Sequence, residues 1–285
     1  MFEFEEISIT LADGYEAYAR YWCPQALRGA VLYHHGIQSH CGWYEMSARR
    51  LMQAGFAVLQ VDRRGCGRNE PNRGHANSAD QLIADALSGR DELSRRCGFR
   101  DHHVIGVSWG GRLAVSTYVT DPTNVVSLSL VTPGLFPLVG VSRRVMSEIA
   151  QAMMYEPGKL FDIPLSRAEL FTSDSDWQRF IDNDSLTLRQ ATAGFYLASR
   201  RMDKIIAKLA QSPELPVHLL LAGDERIVDS DRTIEFIRKL EWSNSRVSTY
   251  ADLRHSLEME GDPEMYYRDL VAFAEDLSTR TPQRN

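Results

Sequence analysis

The stretch Val104-Ile105-Gly106-Val107-Ser108-Trp109-Gly110-Gly111 decides how this chain is read. An apolar run ends in a serine with glycine two residues before and two after it, the pattern of a nucleophile raised on a sharp strand-to-helix turn. The small residues let strand and helix approach closely enough to make that bend, and the bend exposes a hydroxyl that a neighbouring base can activate. A structural serine between glycines gives the same five letters, so the surrounding pattern has to decide.

Outward from that turn, short β-rich runs alternate with amphipathic stretches, the arrangement of a largely parallel sheet covered by helices. Strands are expected at Glu5–Thr10 and Tyr15–Trp22, as an opening antiparallel pair, and then at Gly29–His34, Phe56–Asp62, His102–Val107, Val125–Thr132, Val217–Ala222 and Arg246–Ala251. Apolar spacings of three and four predict helices at Tyr44–Ala54, Ala79–Arg96, Gly110–Val119, Ser230–Leu240 and Pro263–Leu277. The alternation lapses from Leu135 to about Gln211, where the chain turns helical and loop-rich. We read residues 135–211 as a helical cap inserted into a core domain formed by 1–134 and 212–285. The first half of the insertion is rich in Met and other apolar residues, so it is expected to bury them over the sheet as a lid on an apolar pocket, or in a second small core.

The 285 residues are 44% hydrophobic and 25% charged, with a net charge of -6, an ordinary globular balance that argues against nucleic acid as a partner. Arg63, Arg64 and Arg68 cluster, but Asp62 and Glu70 flank them, and the expected setting is a solvated loop. Cys23, Cys41, Cys66 and Cys97 form no paired motif, which fits reduced thiols and speaks against a zinc ribbon or a disulfide framework. The acidic start, Met1-Phe2-Glu3-Phe4-Glu5-Glu6, has no export signal, and no stretch is long enough to span a membrane. A cytoplasmic protein is the expectation.

A serine nucleophile needs a base, an acid to orient that base, and backbone N–H groups for the oxyanion. Among eight histidines only His255 lies both late in the chain and just past an expected strand. His102, His103 and His218 fall at or within strands and read as core or solvent-facing, while His40 and His75 receive no role. The acid should follow the strand Val217–Ala222, where Asp224, Glu225 and Asp229 all stand; Asp224 suits a turn cap and Asp229 a helix cap, which leaves Glu225 as the remaining choice. His34-His35-Gly36-Ile37 ends an earlier strand with a glycine, so the Ile37 amide and the Trp109 amide, at the start of the helix after Ser108, are the candidate oxyanion donors. This chemistry calls for no metal and no cofactor.

In that order the residues resemble the α/β-hydrolase superfamily over nearly the whole chain, and within it the monoacylglycerol lipase and lysophospholipase-like branch related to the serine aminopeptidase-type hydrolases. Tyr33-His34-His35-Gly36 resembles the oxyanion strand, Asp62-Arg63-Arg64-Gly65-Cys66-Gly67 the Asp-x-x-Gly-x-Gly turn, Arg73-Gly74-His75 the loop after it, and Ile181-Asp182-Asn183-Asp184-Ser185-Leu186 a cap segment. Leu219-Leu220-Leu221-Ala222-Gly223 followed by Arg226-Ile227-Val228-Asp229 resembles the acid-bearing strand and loop, and by that likeness the acid directly precedes Arg226, which selects Glu225. Three positions depart from the family: Cys66 where His is common, Asn69 where Ser is usual, and Trp109 where Met or Leu is commoner, a bulky ring expected to narrow the acyl site. The acid loop is also one residue shorter, so Asp224 stays an alternative.

The resemblance implies an α/β-hydrolase fold with helices on both faces of the sheet. It also implies hydrolysis of lipophilic carboxylic esters, of monoacylglycerol or lysophospholipid type, through an acyl-enzyme on Ser108, His255 and Glu225. Its partners would be the small-molecule ester and, through the cap, a transient lipid surface without stable insertion. Peptidase, thioesterase and perhydrolase chemistry use the same triad; a peptidase would need an acidic group for the substrate amine, and the cap carries Glu148, Glu169 and Asp174. A ligand-binding protein without turnover is the alternative from outside the enzymes.

Overall fold

Strand β3 (Gly29–His34) is buried along its whole length, and its alternating side chains feed two different layers. Ala30 and Leu32 pack with Leu93 of helix α2 (Ala79–Cys97), whereas Val31 and Tyr33 pack with Leu51 of α1 (Glu45–Gln53). A strand that is apolar on both faces can only sit inside a sheet covered on both sides by helices. The structure, a computed structural model, describes residues 4–278.

The remaining strands are β1 (Phe4–Thr10), β2 (Glu16–Trp22), β4 (Phe56–Val61), β5 (His102–Val107), β6 (Val125–Val131), β9 (Val217–Ala222) and β10 (Ser245–Tyr250). They form an eight-stranded sheet in the order β1-β2-β4-β3-β5-β6-β9-β10. β1 and β2 run antiparallel, β2 meets β4 antiparallel, and every other pairing is parallel. The parallel part follows from the connections: α3 (Trp109–Thr120) crosses from β5 to β6 and α7 (Ser230–Arg238) from β9 to β10, as parallel neighbours require. After β3 the chain moves to one side for β4 and to the other for β5, so the carboxyl ends of β3 and β5 flank a topological switch point, where open α/β sheets place their ligands. The last helix, α8 (Glu264–Ser278), packs against α1.

Between β6 and β9 lie α4 (Arg143–Tyr155), β7 (Leu160–Asp162), α5 (Ser175–Asn183), β8 (Gln190–Thr192) and α6 (Ala193–Ile206). β7 and β8 pair as a two-stranded antiparallel sheet, so this segment is not purely helical. Ser142, Asp174 and Thr192 each start a helix by accepting a backbone N–H with the side-chain oxygen. The expected burial of the apolar first half is only partly met. Ile149 and Leu135 are buried, but Leu138, ahead of α4, is 60% exposed, and Met154 and Tyr155 are 75% and 79% exposed because α4 turns only one stripe inward.

Candidate active site

Ser108 takes a strained positive-φ conformation that the turn demands, with φ 51° and ψ -120°, at the N-cap of α3. Such a backbone costs a non-glycine residue about 1–3 kcal/mol and persists only where its surroundings fix it. The Ser108 N–H donates to Val131 O at 2.9 Å, and its carbonyl accepts from Gly111 at 2.9 Å and from Gly134 at 2.8 Å. The flanking glycines have a steric reason. A Cβ on Gly106 would lie 2.6 Å from Gly110 O, and one on Gly110 would lie 2.3 Å from His34 O.

The imidazole arrives from the loop after β10. His255 Nε2 lies 2.9 Å from Ser108 Oγ, and its Nδ1 lies 3.0 and 2.9 Å from the two oxygens of Glu225. With the carboxylate accepting at Nδ1, the proton sits there and Nε2 is left to take the serine proton. Thr132 Oγ1 donates to His255 O at 2.9 Å, and Ser256 N donates to Phe171 O at 2.8 Å, fixing the loop from both sides. Phe171 also meets the imidazole edge-on, with ring centroids 6.0 Å apart.

Glu225 is held by the loop after β9, where one oxygen accepts from the N–H groups of Arg226, Ile227 and Val228. Burial pushes its carboxyl up, but the electrostatic attraction and hydrogen bond of the His255 ring and those backbone donors outweigh this and hold it below the usual range. Asp224 turns the other way. Its carboxylate pairs with Arg226 at 2.7 Å and with Arg254 at 3.0 Å, on the surface. Asp229 caps α7 by accepting from Arg232 N.

The loop after β3 passes close to the nucleophile: a Cβ on Gly36 would lie 3.4 Å from Ser108 Cβ. Among the described residues neither the Ile37 N–H nor the Trp109 N–H donates to a protein acceptor, which leaves both amides unsatisfied beside Ser108. Behind the loop sits a residue that sequence reasoning placed wrongly. Arg63 is 7% exposed, and its guanidinium donates to Gly36 O at 3.1 Å and Ile37 O at 2.9 Å. Arg64 is likewise buried and is paired with Asp85 and Asp13. The charge run looked solvated because its pattern carries no record of which way the turn folds. Asp62 accepts from Cys41 N and Arg68 N, and Asn69 from Tyr18 N, and these bonds turn the loop inward. Arg68 alone of the three stays half-exposed, paired with Glu6.

The Trp109 indole packs on Phe195 of α6, with centroids 5.2 Å apart, and its Nε1 donates to Ser199 Oγ at 2.8 Å. Arg112, one turn further along α3, donates to Gly134 O and Ser199 O and pairs with Asp203, joining α3 to α6. His40, given no role from sequence, donates from Nε2 to Asp184 at 3.0 Å, since its Nδ1 accepts from Gly42 N. The strand histidines are core: His103 bonds Ser127 and His218 bonds Ser248. All four cysteines are free, and among the described residues no helix is long and apolar enough to cross a membrane.

This sheet and site can be set against known proteins. The family pattern described as serine aminopeptidase, S33, matches residues 25–262. Human monoglyceride lipase is 29% identical over 123 residues, which make up 43% of this chain and 41% of that protein, so the match spans less than half of the relative. A Bacillus subtilis phospholipase, YtpA, is 22% identical over 85% of this chain and 93% of its own length. The crystal structure of the Paleococcus ferrophilus monoacylglycerol lipase superposes with a TM-score of 0.82 at 20% identity, covering 93% of this chain and all of that one, and bears out the α/β-hydrolase fold.

Proposed function

From the premise that the chain belongs to the serine aminopeptidase, S33, family of α/β-hydrolases, we propose that it hydrolyses carboxylic esters of lipophilic substrates through an acyl-enzyme on Ser108. The observation that carries this reading is the unbroken line Glu225 to His255 Nδ1, His255 Nε2 to Ser108 Oγ, with every link between 2.9 and 3.0 Å. In the reaction Ser108 Oγ attacks the ester carbonyl as its proton passes to His255 Nε2, and the Ile37 and Trp109 amides receive the oxyanion. The imidazolium, held by Glu225, protonates the departing alcohol, and the same imidazole then activates water to release the acid.

Monoacylglycerols and lysophospholipids are the substrate class we favour, in line with the names of the lipase and phospholipase relatives. Residues 135–211 act as the cap: Phe171 lies against His255, Ser199 holds Trp109, and Leu188 N donates to Gln38 O. The exposed Leu138, Met154 and Tyr155 support a transient lipid contact on its outer side. The acidic cap residues that a peptidase would use are partly committed elsewhere, since Glu148 pairs with Arg144 and Asp174 caps α5. Free thiols are in keeping with a cytoplasmic setting.

The test is turnover of p-nitrophenyl esters over a series of acyl lengths, with monoacylglycerol and lysophospholipid included. Ser108→Ala should abolish turnover of all of them; turnover left intact in that variant would refute the assignment.

A further inference from the structure

The oxyanion amide of Ile37 belongs to the peptide unit whose carbonyl is that of Gly36, and this carbonyl, on the opposite edge of the trans peptide from that N–H, accepts two hydrogen bonds. One comes from Arg63 Nη1 at 3.1 Å. The other comes from His35, whose ring tautomer is fixed by its partners. The Arg63 backbone N–H donates to His35 Nε2 at 2.8 Å, so the proton is on Nδ1, which donates to Gly36 O at 2.8 Å. Burial and the neighbouring guanidinium hold the His35 pKa well below the usual histidine value, so the ring stays neutral and keeps that tautomer.

The same guanidinium reaches the next carbonyl, Ile37 O, at 2.9 Å and donates to Cys66 Sγ at 2.7 Å. Its Cζ lies over the Trp109 ring, 4.5 Å from the centroid, and over the Phe195 ring, 5.0 Å from its centroid. None of its hydrogen bonds goes to a carboxylate, so its charge is spent on two peptide oxygens, a thiol and two rings. Asp62, one residue back, is the anion whose charge it feels, but no hydrogen bond joins the two; a buried cation held in this way is costly to keep, and that cost calls for a role.

We propose that Arg63 is a positioning residue for the oxyanion hole: it fixes the Gly36–Ile37 peptide and draws electron density toward its carbonyl, making the Ile37 N–H a stronger donor, while it steadies the Trp109 side of the hole. Hydrogen bonds in a chain polarise one another, and a charge-assisted donor does so most. As the reacting oxygen gains negative charge, the guanidinium behind the peptide also lies in a low-dielectric site where its field is little screened. The benefit appears only when the oxyanion forms, so the residue acts on kcat rather than on ground-state binding.

This inference rests on the hydrolase reading above, and the experiment separates the two. Wild type, Arg63→Met and Arg63→Lys are compared on p-nitrophenyl butyrate, with inhibition by an alkyl trifluoromethyl ketone, whose hemiketal oxygen occupies the hole, and with thermal unfolding. Arg63→Met should lower kcat by about 10²-fold, the scale of losing one oxyanion donor, with little change in KM. Ketone affinity should fall in parallel with kcat, and Arg63→Lys, which keeps the charge but reaches fewer acceptors, should recover part of both. If Arg63→Met fails to fold, the lysine variant carries the test: kcat and ketone affinity reduced together at a native Tm support the assignment. Active wild type with either folded variant retaining wild-type kcat and ketone affinity overturns it while leaving the hydrolase reading intact. Wild type that neither cleaves the ester nor binds the ketone overturns both.

Discussion

Glu225 faces His255 with both carboxylate oxygens, at 3.0 and 2.9 Å from Nδ1, while its neighbour Asp224 is drawn to Arg226 and Arg254 on the outside of the same loop. Two adjacent carboxylates thus face opposite ways. Glu225→Gln should lower kcat by up to about 10⁴-fold, because an amide can present the wrong partner to Nδ1 and favour the unproductive tautomer. Asp224→Asn removes a surface pair that solvent screens and should leave kcat nearly unchanged. Steady-state kinetics on the two variants decide it, and the reverse ranking would make Asp224 the orienting acid.

Gly110 has no room for a methyl group, since its Cβ would meet the backbone oxygens of His34 at 2.3 Å and His35 at 2.6 Å. Gly110→Ala must therefore push the start of α3, which carries the Trp109 amide, away from the end of β3, which leads into the loop carrying the Ile37 amide. Destabilisation of at least about 1–3 kcal/mol is expected, with loss of esterase activity in whatever fraction folds. Denaturant unfolding together with active-site titration would show it; a fully active variant of native stability would contradict the geometry.

Three residues beyond His255, Glu258 is enclosed by Ser47 and by the phenols of Tyr33, Tyr44, Tyr266 and Tyr267, with Glu45 as the nearby charge. Burial pushes its carboxyl up to about 8 from 4.5. Between those two values only the unfolded chain ionises this group, so its contribution to stability is complete below about 4.5 and is lost as pH rises toward about 8. Glu258→Gln should remove that slope. Measured against wild type, the Tm of the variant should gain between pH 5 and pH 8; a difference independent of pH would mean that the carboxyl is not neutral in the fold.

Asp184 accepts from His40 at 3.0 Å, Trp43 Nε1 at 2.7 Å and Thr187 Oγ1 at 3.0 Å, and so ties the segment before β8 to the loop after β3. Burial raises its carboxyl, yet the His40 and Trp43 hydrogen bonds prevail and hold it below the usual range. Asp184→Ala strands several donors at once and should cost about 1–3 kcal/mol, a Tm loss of about 2–4 °C per kcal/mol for a protein of this size. Calorimetry checks it, and an unchanged Tm would show that the tie contributes nothing.

The sheet could be read from the sequence because its inner strands are short apolar runs and its edge strands β1 and β10 are short β-rich runs, each closed by a turn, and the runs fall within a residue or two of their observed ends. That Ser108 and His255 would meet was legible because each stands past the end of a strand. The choice of Glu225 over Asp224 needed the likeness to a family, because both are carboxylates in one loop and only the bonds from Arg226 and Arg254 separate them. Arg63 was misread since charge pattern reports hydrophilicity and not direction. β7 and β8 escaped because three residues carry too little periodicity to register. The exposed side chains of α4 broke the expectation of burial because a helix hides one stripe and leaves its other faces open.

The most direct measurement is covalent: incubation with a fluorophosphonate followed by peptide mass spectrometry. A single adduct on Ser108, absent from Ser108→Ala and formed far more slowly in His255→Gln, is the predicted result. An unlabelled wild-type protein, or an adduct that persists when Ser108 is replaced, would contradict the account.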